Sequence, residues 1–298
     1  LDRLIYIIGS GRSGSTVMER VLNSSDRLVG VGEVHALWRL PIDGLMCSCG
    51  ATVPDCTFWR SALSHAEIDA DDLAELAELE ASVIRNKFLV RQRYDLGKIA
   101  RDPGIVRFNA LQVRLFDGVR FASGAEIVLD SSKAGPRAWA LAASERPPVF
   151  LHAYRNARDV IASWRKPKFE PSTNSLMNKP SLGSAALDWI KVEQAARSLA
   201  RRGQRVSRVN YLDFADAPRP TLHAALEPWF AGLVDSMDWR GERDVAPGAQ
   251  YHSVLGNPDR FDRGVIQIRP QRVVAQDFSR GEALAIQSVA AVLQRIYR

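Results

Sequence analysis

No run of about 18 consecutive apolar residues occurs in the sequence, so it holds no candidate for a membrane-spanning helix. A charged-then-apolar secretion signal is missing too, because residue 1 opens almost directly into the apolar run from Arg3 to Ile8. A cytoplasmic location is expected on that ground, with the question of a preceding segment open. Dense basic tracts interleaved with aromatics are also lacking. The net charge of +6 belongs to a chain in which arginine greatly outnumbers lysine, so nucleic acid is not the expected partner, while an anionic small ligand is compatible with the balance.

Cysteine is scarce: Cys47, Cys49 and Cys56 stand together in C-S-C-G-A-T-V-P-D-C, too few for a disulfide framework. Three readings of the cluster stay open. The thiols are free in a folded loop, or Cys56 is bridged to one of the other two, or the three hold zinc with a fourth ligand, for which His35 and His65 are the nearby histidines. The C-x-C spacing is shorter than the usual C-x2-C knuckle.

What the chain does have is a length of 298 residues with 46% hydrophobic content, enough for a large α/β core. We expect one domain over 1–298, with a lid and helical insertion over about 41–122. The apolar run from Arg3 to Ile8 meets G-S-G-R-S-G-S-T, Gly9 to Thr16, and then Val17, Met18, Val21 and Leu22 at helical spacing. Strand, glycine turn and helix in that order hold an anion, because glycines let consecutive N–H groups point inward and the helix start adds about half a positive charge. Gly9, Gly14 and Thr16 fall on the Walker A pattern, but its lysine position holds Ser15, and the cation stands inside the loop at Arg12.

Further along, a strand at Leu28–Val31 ends in G-E-V-H, which places Glu33 and His35 at a strand end, suited to acid–base work. An irregular stretch over 41–57 is expected to form a lid or wall. Leu73, Leu76, Leu79 and Val83 predict one long amphipathic helix between Asp71 and Tyr94, and a second helix follows Pro103 through Phe108, Leu111 and Leu115. The sheet resumes at Glu126–Leu129 and ends in D-S-S-K. Asp130 there resembles a Walker B aspartate, and Lys133 is placed to reach the ligand of the first loop. A helix over Pro136–Ala143, a strand over Val149–Ala153 and a second strand–turn–helix at Tyr154–Trp164 follow. A Pro/Ser/Asn-rich loop over 167–183 leads to a helix Ser184–Arg202, a strand Arg205–Asn210, the loop His252–Phe261 and a last helix Gly281–Tyr297. Trp38, Trp139, Trp164 and Tyr94 are candidates to line an apolar or sugar-stacking pocket.

Several of these segments resemble, in the same order, those of the sulfotransferases that use 3′-phosphoadenosine 5′-phosphosulfate (PAPS), bacterial members among them. They are the first loop, G-E-V-H, the C-x-C-G segment, D-S-S-K, R-x-x-x-D-x-x-x-S at Arg155, Asp159 and Ser163, and G-N-P-x-R at Gly256, Asn257 and Arg260. Tyr211, opening Y-L-D-F, is similar to the family's Y-E-D-L tyrosine, with Leu212 where an acidic residue is usual.

The resemblance implies a three-layer α/β/α fold with a mainly parallel, P-loop-like sheet and a helical insertion. It implies PAPS as co-substrate, PAP as product, no required metal, and a carbohydrate, lipid, phenolic or tyrosine hydroxyl as acceptor. Gly11, Arg12, Ser13, Gly14, Ser15 and Thr16 would hold the 5′-phosphosulfate. Arg155 and Ser163 would hold the 3′-phosphate, Tyr211 would neighbour the adenine, and Gly256, Asn257 and Arg260 would close over the nucleotide. Arg12 and Lys133 would stabilise charge, with Glu33 as base and His35 as its rival. Two other classes stay open: a P-loop kinase or NTPase using Mg-ATP and Asp130, and a non-catalytic nucleotide-binding module.

Overall fold

A computed structural model describes residues 1–165, 169–170, 175–176, 180–271 and 279–296 of the chain. Its centre is a five-stranded sheet in the order β2-β3-β1-β4-β7. The strands are β1 (Leu4–Ile8), β2 (Leu28–Gly32), β3 (Ile127–Lys133), β4 (Val149–Tyr154) and β7 (Val206–Asn210), and all four pairings are parallel. Two-residue strands β5 (Phe169–Glu170) and β6 (Ser175–Leu176) pair with each other, as do β8 (Asp244–Val245) and β9 (Ile266–Gln267).

A parallel sheet covered on both faces needs strands that are apolar throughout, and β1, L-I-Y-I-I, is buried at every position. Its side chains alternate between two cores. Leu4, Tyr6 and Ile8 face one, and Ile5 and Ile7 face the other. The second core is covered by α1 (Ser15–Leu22), α11 (Tyr211–Asp216) and α12 (Pro218–Leu226). The first is covered by the helices between β2 and β3 together with α8 (Gly135–Ala142) and α10 (Leu182–Arg201). A third apolar cluster joins α9 (Ala157–Arg165), α10 and α13 (Arg280–Ile296). The structure is therefore the three-layer α/β architecture that the resemblance implies.

The helices between β2 and β3 are α2 (Ala36–Arg39), α3 (Thr57–His65), α4 (Ala70–Ser82), α5 (Asn86–Arg91), α6 (Leu96–Ile99) and α7 (Pro103–Ser123). Asp69 caps α4 by accepting from the Asp72 N–H, and Asp102 caps α7 by accepting from Gly104 and Ile105, with Pro103 in the first turn. One expectation fails here. The single helix between Asp71 and Tyr94 is broken after Ser82, where Ile84 turns into the core, and the chain ends α5 with Arg93 and Tyr94 both at positive φ. Apolar spacing continues through the break because both pieces pack on the same core.

Other boundaries move by a residue or two, except that β3 runs on four residues, through Asp130 to Lys133, instead of ending at Leu129. Tyr297, assigned to the last helix, and most of the loop over 167–183 lie outside the described residues.

Chain direction changes sense around β1: the connections from β1 lead toward β2 and β3, and the next strand, β4, lies on the other side. Ligand crevices in open parallel sheets form at such a point, beyond the carboxyl ends of the strands. Residues 9–16 follow β1 there, and Arg155 follows β4.

Candidate active site

A cavity of about 610 Å³ opens at this edge. One wall is the loop after β1. Gly14 takes φ 90°, a left-handed conformation, and a side chain at this position would also run into the Tyr211 ring. Ser13 is fully buried and stiffens the turn, its hydroxyl donating to the Ser10 carbonyl at 2.6 Å. No side chain caps α1, and its first turn holds no acidic residue. Gly11, Gly14, Ser15 and Thr16 line the cavity, so the uncapped N–H end of the helix faces it, an arrangement that can hold an anion.

The opposite wall comes from β4, α9 and α11. Arg155 Nη1 donates to the Arg12 carbonyl at 3.0 Å, Nη2 donates to the Gln271 carbonyl at 2.5 Å, and the guanidinium lies 4.5 Å from the Tyr211 ring centre. The turn that carries Arg155 is fixed by Trp189 Nε1 donating to the Arg155 carbonyl, and by Asn156 and Asp159 capping one another at the start of α9. Ser163 and Trp164 of α9 line the cavity, with the Arg12 guanidinium 5.2 Å from the Trp164 ring. Burial lowers the Arg12 pKa; the Asp259 carboxylate opposes that shift and Arg155 adds to it.

Between the walls, Lys133 Nζ is hydrogen-bonded to Glu33 Oε1, and both line the cavity. Lys133 closes β3 at φ 65°. Glu33 follows β2, and its backbone N–H donates to the Val254 carbonyl at 2.8 Å, which ties it to the segment that continues into Leu255, Gly256 and Asn257 above the cavity.

The structure thus gathers Gly11, Arg12, Gly14, Ser15, Thr16, Glu33, Lys133, Arg155, Ser163, Tyr211, Gly256 and Asn257 around one space. Ser13 supports it from behind. His35 does not line it: the ring is buried at the start of α2, its Nδ1 has no hydrogen-bond partner among the described residues, and Nε2 lies 3.9 Å from Glu33 Oε2. Burial first, then the charges of Arg39, Arg137 and Lys133, lowers its pKa to about 2, so the imidazole is neutral. Arg260 is also buried, with Nη1 donating to the Gly256 carbonyl at 3.0 Å; it braces the loop from below and is not among the residues lining the cavity.

Asp130, the Walker B candidate, is fully buried, accepts from Arg137 Nη2 at 3.0 Å, and does not face the cavity. Of the four aromatics expected around an acceptor, Trp164 alone reaches the cavity. Trp139 is core and packs edge-on against Tyr94, and Trp38 is buried with its Nε1 donating to Glu80.

Three further residues were not anticipated. Asp259 and Gln271 belong to the lining. Glu19 of α1 lies beneath it, accepting from the Gly32 N–H at 2.8 Å and from Ser131 Oγ at 2.6 Å. Burial raises the Glu19 pKa to about 7, against those hydrogen bonds and the Lys133 charge. The signal for Glu19 was present, since it interrupts the inward stripe formed by Met18, Val21 and Leu22.

Among the described residues, no helix is long and apolar enough to cross a membrane. No family model matches the chain, and no curated protein does. Among solved structures, the sulfotransferase domain from the Synechococcus PCC 7002 olefin synthase is similar at 16% identity, over 98% of this chain and 94% of that chain, with a TM-score of 0.46.

Proposed function

We propose that the protein is a sulfotransferase that moves the sulfuryl group of PAPS to an acceptor hydroxyl and releases PAP. One observation supports this above the others: the loop carrying Arg12 and the turn carrying Arg155, 143 residues apart, face one cavity that also holds the Glu33–Lys133 pair. An anion-holding helix start on one side and a guanidinium with a hydroxyl on the other suit a donor with phosphate groups at both ends.

In the reaction, the acceptor oxygen forms a bond to sulfur as the bond from sulfur to the 5′-phosphate oxygen breaks, and the electron pair of that bond leaves on PAP. Positioning and charge stabilisation do most of the work in such a displacement. The N–H groups of residues 11–16 hold the 5′-phosphate, and Arg155 and Ser163 hold the 3′-phosphate. Arg12 and Lys133 face the oxygens on which charge grows. Glu33 takes the acceptor proton, a role that suits its place in the lining better than it suits the enclosed His35. The acceptor is a carbohydrate, lipid, phenolic or tyrosine hydroxyl.

A Mg-ATP enzyme fits less well, because Ser15 stands at the Walker lysine position and Asp130 is held by Arg137. Thermal stabilisation by PAP, compared with ADP and with ATP plus Mg²⁺, separates the readings. Selective stabilisation by PAP without metal, lost in Arg155→Ala, is the expected result; a response to ATP with Mg²⁺ alone overturns the assignment.

A further inference from the structure

The cysteine cluster finds a fourth member that is neither His35 nor His65. Cys47, Cys49, Cys56 and His252 bring one ligand atom each into a group whose members all lie within 4.8 Å of one another. Cys49 Sγ is 3.6 Å from Cys56 Sγ, and Cys56 Sγ is 3.8 Å from Cys47 Sγ. His252 Nδ1 is 3.6 Å from Cys47 Sγ and 3.4 Å from Cys56 Sγ. A zinc tetrahedron with the usual bond lengths has S···S edges of about 3.8 Å and S···N edges of about 3.6 Å. We propose that these four side chains bind one zinc ion in a closed Cys3His site.

Each ligand is placed by its own local structure. Cys47 and Cys49 sit on a tight turn in which the Gly50 N–H donates to the Cys47 carbonyl at 2.9 Å and Gly50 takes φ 93°. Cys56 stands at the start of α3. The His252 ring stacks on Phe58 with centroids 4.4 Å apart, and Trp59 Nε1 donates to the His252 carbonyl at 3.1 Å. Residues just outside the ligands therefore fix the imidazole and present Nδ1 to the sulfurs.

Three thiolates and a neutral imidazole around Zn²⁺ leave a net charge of about −1. Arg263 lies beside the turn, its Nη2 donating to the Ser48 carbonyl at 2.6 Å, and supplies a compensating positive charge. With four protein ligands no position is open for water or substrate, so the ion is structural. It joins the turn carrying Cys47 and Cys49 to the segment in which Val254 bridges to both Cys47 and Gly32, one residue before Leu255 begins the loop above the cavity.

The test is metal analysis of the full chain, purified without added metal and under reducing conditions. About one zinc per chain is expected, and replacement by cobalt should give the visible bands of a tetrahedral site and thiolate-to-cobalt charge transfer. His252→Phe should lose the metal, while His252→Cys, which restores a ligand, should keep it. The outcome is independent of the donor-site reading, since it needs neither PAPS nor turnover. Folded wild-type protein that holds no zinc and takes up none after reduction would overturn the site. So would an intact mass showing a disulfide in the protein as purified, or a His252→Phe variant that retains zinc at the wild-type level.

Discussion

Arg155 donates a hydrogen bond to the backbone carbonyl of Arg12 at 3.0 Å, which couples the turn after β4 to the glycine loop after β1. The two loops reach this contact because β1 and β4 are parallel neighbours in register, with Ile8 opposite His152.

Loss of Arg155 should therefore act on donor binding first. Arg155→Ala is expected to weaken PAP by about 1.5–3 kcal/mol, the cost of removing hydrogen bonds to a charged group, or roughly 10- to 150-fold in dissociation constant. Calorimetric titration with PAP measures this directly, and an unchanged affinity would remove Arg155 from the donor site.

Glu33→Gln should separate binding from chemistry. Turnover is expected to fall by about 10²- to 10⁴-fold, the usual contribution of a positioned base. PAP affinity should stay within a few-fold, because Glu33 brings a negative charge to the cavity and no phosphate contact. Retention of full turnover would reject Glu33 as the base.

The buried Glu19 makes stability depend on pH with a definite sign. Its pKa is about 7 in the folded chain and near 4.5 when unfolded, so between these values the folded state binds more protons. Stability contributed by the protonated form is complete below about pH 4.5, is lost as pH rises toward about 7, and is flat beyond. The full change is on the order of 3 kcal/mol. Glu19→Gln keeps an acceptor for the Gly32 N–H and a donor for Ser131, and should remove this slope from denaturation curves taken across the window.

Asp130 and Arg137 form a fully buried ion pair, with Arg137 also donating to Gln112 Oε1 at 2.5 Å. Asp130→Ala strands the guanidinium and should cost about 3–5 kcal/mol, whereas Asp130→Leu combined with Arg137→Met should recover much of that loss. Urea denaturation of the single and double variants tests the pair. Equal destabilisation in both would show that packing around these side chains, not charge, dominates.

Much of this was legible in the chain. Parallel strands buried on both faces leave apolar runs such as those of β1 and β4, and the turn that opens α1 declares itself by glycine spacing directly after such a run. Contacts between distant segments were not legible. His252 lies 196 residues from Cys56, and nothing in its own neighbourhood marks it as a ligand. His35 stands two residues from Glu33, yet α2 begins there and carries its ring into the interior, so sequence proximity misjudged it. Asp130 looked like a metal-site carboxylate because an apolar strand ending in aspartate has the same appearance whether its partner is a cation in a crevice or an arginine in the core.

The strands β2 and β3 are neighbours, and everything from Ala36 to Glu126 leaves and re-enters the sheet between them. The base of that excursion is closed by the ladder from Leu28 opposite Ile127 to Gly32 opposite Asp130. Its helices bury one face of the sheet, so a change within the excursion reaches the strands through packing on that face, while the ladder at its base holds their register. No residue from Ala36 to Glu126 is among those lining the cavity, so the excursion builds the support behind the strand ends and leaves the surface that a ligand would touch to the segments on either side of it.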